Sequence, residues 1–131
     1  MENELFLGGF KGWSYNEIVN YIVENFEVEK SIVDNYHIII ANSDLGDYEE
    51  SAFFLLTGKT DGKLYIVDGS HCSCYGFEGQ FETDETEIEY LISDNAYFGS
   101  SLSDTEKNKI QKRFILMIRY LKLEQIKNRI G

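Results

Sequence analysis

The stretch Ala52-Phe53-Phe54-Leu55-Leu56-Thr57-Gly58-Lys59-Thr60-Asp61-Gly62-Lys63-Leu64-Tyr65-Ile66-Val67 decides the class of fold. Two runs rich in β-branched, aromatic and aliphatic residues, Ala52 to Thr57 and Lys63 to Val67, flank a short link ending in Asp61-Gly62. That pattern predicts an antiparallel hairpin. Upstream, Tyr36 to Ala41 predicts a third strand of the same kind. Between it and the hairpin, Asn42 to Glu50 reads as a polar, acidic surface connection carrying Asp44, Asp47, Glu49 and Glu50. Leu5 to Phe10 is expected to form a short strand, with Gly8, Gly9 and Gly12 supplying a flexible bend.

Helices flank this β-rich centre. Ser14-Tyr15-Asn16-Glu17 is a capping box, and Trp13 and Ile18 occupy the two positions of a hydrophobic staple. Ile18, Ile22 and Phe26 then recur every fourth residue beside Val19 and Val23, which makes one apolar helix face. Residues 83 to 93 are expected to form a second, short helix, with Thr86 and Glu89 in capping-box register and Ile88, Leu91 and Ile92 on one face. Ser103-Asp104-Thr105-Glu106 opens a long helix reaching about Arg129. Its apolar line is Ile110, Phe114, Met117 and Leu121, and Phe114 to Leu121 is apolar on most sides, so this centre is expected to be buried. The cations Lys107, Lys109, Lys112, Arg113, Lys122, Lys127 and Arg129 flank it, the late ones suiting the helix dipole. The expected fold is α+β: a single domain over residues 1–131, with one small antiparallel sheet packed with the N-terminal and the long C-terminal helix.

Composition narrows the function. The 131 residues (15.2 kDa) are 43% hydrophobic and 15% aromatic, enough for a folded core despite a net charge of -11. No run approaches the roughly 20 apolar residues of a membrane span, and Met1-Glu2-Asn3-Glu4 lacks the basic start of a secretory signal, so a soluble, cytoplasmic protein is expected. Two cysteines exclude a multi-bridge disulfide scaffold. The charge is asymmetric: residues 1–100 carry 20 acidic and 4 basic side chains, a net of -16, while residues 101–131 carry 3 acidic and 8 basic, a net of +5. So acidic a body repels phosphate backbones and favours a basic partner. The same acidity also serves solubility.

The most distinctive chemistry lies in Gly69-Ser70-His71-Cys72-Ser73-Cys74-Tyr75-Gly76-Phe77-Glu78-Gly79-Gln80, which holds both cysteines and one of two histidines. This stretch resembles a widespread group of small uncharacterised bacterial and bacteriophage proteins sharing a G-S-H-C-S-C-Y-G-x-E-G-Q core, commonly followed by an aromatic residue and an acidic segment, as Phe81-Glu82-Thr83-Asp84-Glu85-Thr86 is here. The likeness spans about residues 50 to 93, with Phe81 and Thr83 where members often carry Trp and Pro. It implies a phage or mobile-element setting and carries no activity with it.

His71, Cys72 and Cys74 are ligand types for zinc, and His37 or Glu78 could complete a set. Structural zinc takes four ligands at spacings such as C-x2-4-C, however, and in an extended segment His71 points away from Cys72 and Cys74. No metal and no cofactor are therefore expected. Cys72 or Cys74 with His71 or His37 would supply the thiol and base of a nucleophilic enzyme. The alternative is that the cysteines fill the core as small hydrophobes, with His71 hydrogen-bonded beside them. Gly76 and Gly79 are expected at positive backbone angles, with Glu78 as a solvated turn residue or a partner of His71. No G-x-G-x-x-G or G-K-[ST] motif supports nucleotide binding.

The leading expectation is a non-enzymatic phage or mobile-element accessory protein, acting in the host cytoplasm. It would inhibit a host defence or nucleic-acid-binding protein, in the manner of an anti-CRISPR, by presenting an acidic, phosphate-mimicking surface to a basic groove. Asp44, Asp47, Glu49 and Glu50, or Glu82, Asp84 and Glu85 with Glu87 and Glu89, would form that surface. The alternative is a small thiol- or metal-dependent enzyme centred on His71, Cys72 and Cys74. Neither nucleic acid nor membrane is expected as a direct partner, and the C-terminal helix offers a route to a homodimer.

Overall fold

The computed structural model describes residues 4–45, 49–72, 76–99 and 102–130, with side chains at all of these except 45, 49, 72 and 120–130. The chain divides into two compact units, one of Met1–Thr86 with Phe98–Ser101, the other of Glu87–Tyr97 with Leu102–Gly131. The fold is α+β.

The first unit is built on a five-stranded sheet in sequential order, β1 (Leu5–Gly8), β2 (Tyr36–Leu45), β3 (Glu49–Gly58), β4 (Leu64–Cys72) and β5 (Asp84–Thr86). The expected hairpin is β3–β4, antiparallel from Thr57↔Leu64 to Glu49↔Cys72. Asp61 organises its turn by accepting from the Lys63 amide at 2.9 Å and from the Tyr65 hydroxyl. The β2–β3 and β4–β5 pairs are also antiparallel, whereas β1 runs parallel to β2, so the sheet is mixed. The cause is the connection: β1 reaches β2 through a helix, and such a crossover returns the chain in the same direction.

That helix, α1 (Tyr15–Phe26), carries the expected capping box: Ser14 Oγ accepts from the Glu17 amide and Glu17 Oε1 from the Ser14 amide, both at 3.1 Å. Its face of Ile18, Val19, Ile22 and Phe26 packs with Ile38, Ala41, Ala52, Phe54, Leu56 and Val67 from one side of the sheet, and Phe10 and Phe77 belong to the same cluster. A short helix, α2 (Lys30–Val33), leads into β2. The register of β2 slips between Ile38 and Ile40. Next to that irregularity the Ile38 amide donates to the Tyr15 hydroxyl at 2.9 Å. On the other side of the sheet Ile40, Phe53 and Leu55 are buried, and Phe98 meets Phe53 edge-on.

Two expectations about the first unit need correction. The segment Asn42 to Glu50, expected as a surface connection, is strand at both ends: β2 continues through Leu45 and β3 begins at Glu49. Asn42 and Ser43 are each only 2% exposed, and Asn42 Nδ2 donates to the Phe98 carbonyl at 3.0 Å. Strand pairing here overrides polar composition because β2 lies between β1 and β3, which supply backbone partners on both sides of Asn42 and Ser43. Residues 83–93 are not one helix either. Asp84–Thr86 forms β5 against Leu64–Ile66, and the helix α3 (Ile88–Leu91) starts only at the N-cap Glu87, without a side-chain cap. The open edge of β4 and the Lys63–Glu85 ion pair at 3.3 Å draw this segment into the sheet.

In the second unit Gln111 of α4 (Asp104–Ile130) caps the end of α3, donating from Nε2 to the carbonyls of Leu91 (3.2 Å) and Ser93 (2.7 Å). Lys107 reaches the Asp94 carbonyl at 2.8 Å. Ser103 caps α4 as expected, its Oγ accepting from the Glu106 amide at 3.1 Å. Leu91, Ala96, Ile110 and Phe114 are buried. The expectation that Phe114 to Leu121 is buried fails after its first residue: Ile115, Leu116 and Met117 are 39%, 62% and 37% exposed. A single helix turns each successive residue by roughly 100°, so a packed face that covers Phe114 leaves Ile115 and Leu116 outside it, with Met117 at its margin. Leu121 lies outside the described side chains. Among the described residues no helix is long and apolar enough to cross a membrane.

Candidate functional site

The distinctive stretch starts on β4 and returns beside it. Strand alternation places Gly69 and His71 on the helix-covered side of the sheet and Asp68 and Ser70 on the other. Gly69 is required by packing, since a Cβ there would lie 2.9 Å from the Phe26 ring and 3.1 Å from that of Phe77. Those rings stack at 4.7 Å. Gln80 then holds the returning chain. Its Oε1 accepts from the Ser70 amide at 2.8 Å, and its Nε2 donates to the carbonyls of Ser70 (2.7 Å) and Gly76 (2.9 Å). One amide side chain thus pairs with β4 much as a neighbouring strand would. Gly79 takes the expected positive angle, φ +77°, and a Cβ at Gly76 would meet the end of the Glu78 side chain.

His71 Nε2 lies 2.8 Å from Glu50 Oε2, and the two side chains are 25% and 30% exposed. Glu50 faces His71 across the β3–β4 pair, and Phe77 meets the imidazole edge-on at 4.5 Å. Glu78 is exposed, the solvated-turn alternative for that residue. Tyr21 of α1 completes the group: its hydroxyl is shielded from solvent, faces the Glu50 carboxylate, and makes no hydrogen bond of full geometry among the described residues. Burial first, and the Glu50 charge second, hold this phenol protonated well above the usual tyrosine range. A carboxylate-oriented imidazole is the orienting half of a nucleophile-activating site. The thiols that would complete it, Cys72 and Cys74, lie outside the described side chains. The second histidine, His37, stacks on Tyr15 at 5.3 Å. Among the described residues no three His, Cys, Asp or Glu side chains are grouped to hold a metal ion.

A second feature lies at the β4–β5 edge. Asp68, Gly79, Gln80, Glu82 and Asp84 line an open cleft of about 270 Å³. Partial burial pushes the Asp68 carboxyl above its usual range. Among the described residues no cation pairs with Asp68, Glu82 or Asp84, while neighbouring Glu85 is held by Lys63.

The structure therefore brings together Glu82 and Asp84, with Glu85 next to them on β5. Asp44 is exposed on β2, two strands from β4 and roughly 10 Å across the sheet. Glu50 is engaged with His71 on the opposite side of the sheet. Asp47, and the side chain of Glu49, lie outside what is described. Sequence reasoning missed Asp68 and Gln80 as members of the cleft. Counting back by twos from Ser70 would have put Asp68 on the face opposite His71. Nothing in the sequence signals that Gln80 folds back onto Ser70.

No family model matches the chain, and no curated protein or solved structure shows significant similarity to it.

Proposed function

We propose that this chain is a protein-binding module that engages a partner's basic surface through its acidic side chains. The observation that carries this reading is the cleft at the β4–β5 edge, where Asp68, Glu82 and Asp84 converge without a pairing cation among the described residues. Carboxylates left without counter-charges are free to complement a partner, speeding association and setting specificity. The -16 of residues 1–100 supports the same reading at long range. The resemblance of the Gly69–Gln80 stretch to small phage and bacterial proteins supplies the setting. There the module works in the host cytoplasm and inhibits a nucleic-acid-binding or defence protein by occupying its phosphate-binding groove.

The test is affinity capture from a bacterial host lysate at low and high salt, with the wild-type chain and Glu82→Lys/Asp84→Lys. The expected result is a basic protein retained at low salt by the wild type only, since screening and charge reversal remove the same attraction. Retention that neither salt nor charge reversal weakens refutes the reading.

A second reading, a small thiol enzyme, is favoured by the 2.8 Å Glu50–His71 pair. Selective alkylation of Cys72 or Cys74 near neutral pH, slowed at least about tenfold in His71→Ala, would support it through an activated thiolate.

A further inference from the structure

The outer edge of β4 is paired at both ends and open between them. On its inner side the strand serves β3, the Lys63 carbonyl accepting from the Gly58 amide at 2.9 Å. On its outer side the Ser70 amide and carbonyl are both taken by the Gln80 side chain. Main-chain groups alternate sides along a strand, so those of Leu64, Ile66 and Asp68 point outward with those of Ser70. Leu64 and Ile66 lie opposite Thr86 and Asp84 of β5. Asp68 falls between the last pair of β5 and the bonds of Gln80. The residue that would continue the pairing, Glu82, turns back instead, its amide donating to the Gln80 carbonyl at 2.9 Å. The Asp68 N–H and C=O therefore have no partner among the described residues.

This gap coincides with the cleft of about 270 Å³ lined by Asp68, Gly79, Gln80, Glu82 and Asp84. A gap one residue long is too short for an added strand, which needs a run of free main-chain groups, and is the right length for the end of one side chain. What surrounds it selects the chemistry of that side chain. The Asp68 carbonyl and the carboxylates of Asp68, Glu82 and Asp84 are all acceptors, so the occupant is a cation rich in donors. A bare metal ion is disfavoured, since among the described residues no three His, Cys, Asp or Glu side chains are grouped to hold one. Of the two basic side chains, arginine presents a planar fork of five N–H donors, which can pair with a carboxylate along one edge and reach a carbonyl with another; lysine offers a single point charge. The Asp68 amide faces the open side of the cleft and stays hydrated. Partial burial already disfavours the Asp68 charge, a cost that a guanidinium beside it offsets.

We infer that the cleft at the β4–β5 edge is a socket for one arginine side chain of the basic partner, held by the Asp68 carbonyl and the carboxylates around it. The inference rests on the acidic-partner reading and names the group by which that partner is gripped.

Amide NMR of the full chain tests it with two probes of equal charge, the end-capped pentapeptides Lys-Gly-Arg-Gly-Lys and Lys-Gly-Lys-Gly-Lys. Before any peptide is added, the Asp68 amide should exchange with solvent at least about tenfold faster than those of Ile66 and Ser70, because it alone is unpaired. The arginine peptide should shift the amides of Asp68, Gln80 and Asp84 and bind at least about fivefold more tightly than the lysine peptide. Glu82→Gln and Asp84→Asn should each weaken it by about threefold or more, and Glu85→Gln, whose carboxylate is engaged by Lys63, should not. Equal affinity for the two peptides, shifts centred elsewhere, no binding of the arginine peptide, protection of the Asp68 amide equal to that of its neighbours, or the same shifts from calcium chloride alone would each overturn the socket. If the socket fails while capture of a basic partner remains sensitive to salt and to Glu82→Lys/Asp84→Lys, the acidic-partner reading stands without it; if the arginine peptide binds as expected while that capture is insensitive to both, the reading fails and the socket stands.

Discussion

Phe77→Ala tests whether the Gly69–Gln80 stretch is built around packing. The Phe77 ring is 1% exposed, stacks on Phe26 at 4.7 Å, meets His71 edge-on at 4.5 Å and approaches Tyr21 at 6.3 Å. Truncating a fully buried phenylalanine costs about 3–5 kcal/mol, the lost transfer energy plus the cavity left behind. The three ring contacts put this site towards the upper end, since each adds about 0.5–1.5 kcal/mol beyond area burial. Against a total of about 5–15 kcal/mol that is a large share. With a urea m-value of about 1.5 kcal/mol/M, the midpoint of a urea transition followed by tryptophan fluorescence should fall by about 2–3 M. Glu78→Ala, one residue along and exposed, should stay within about 0.5 kcal/mol of wild type. Gly69→Ala should cost about 1–3 kcal/mol, because its Cβ would overpack Phe26 and Phe77. A loss below about 1 kcal/mol for Phe77→Ala, or an equal loss for Glu78→Ala, would refute the reasoning.

Alkaline stability should depend on Tyr21. Its folded-state pKa is raised by burial and by Glu50, while in the unfolded chain it ionises near 10, so between these limits only the unfolded chain gives up the proton. Stability should thus be intact below about pH 10 and fall as pH rises above it, and Tyr21→Phe should flatten that fall in denaturant titrations across pH 9–12; an unchanged slope would remove Tyr21 as its cause. Purified protein should contain no stoichiometric zinc by elemental analysis, because the ligand set is incomplete and strand alternation divides it; about one zinc per chain, lost in His71→Ala, would contradict this. Labelled duplex and single-stranded oligonucleotides should bind negligibly at physiological salt. Submicromolar, salt-steep affinity abolished by Lys112→Glu/Arg113→Glu would show instead that α4 reads nucleic acid directly.

Much of the architecture was written locally. Ser14 and Glu17 form their capping box from residues three apart, Ser103 caps α4 within the same span, and the Asp61-Gly62 turn sets the β3–β4 hairpin; each uses groups close in sequence, so the chain alone specifies it. The alternation along β4 likewise assigns His71 and Asp68 to opposite faces without any knowledge of the fold. What spans a long stretch of chain was decided by tertiary structure. Asn42 and Ser43 are buried because β3 and Phe98 supply partners to a segment whose composition reads as a loop. Residues 84–86 pair with β4 rather than joining a helix, because a sheet edge offers hydrogen bonds that no capping pattern reveals. Glu50 meets His71 across 21 positions through strand register, and Asp68 joins Glu82 and Asp84 in one cleft through the β4–β5 pairing and the return of the chain at Gln80. Periodicity marks which residues of α4 share a face, but which faces find cover depends on surfaces far away in sequence, and that is why Phe114 is buried and Leu116 is not.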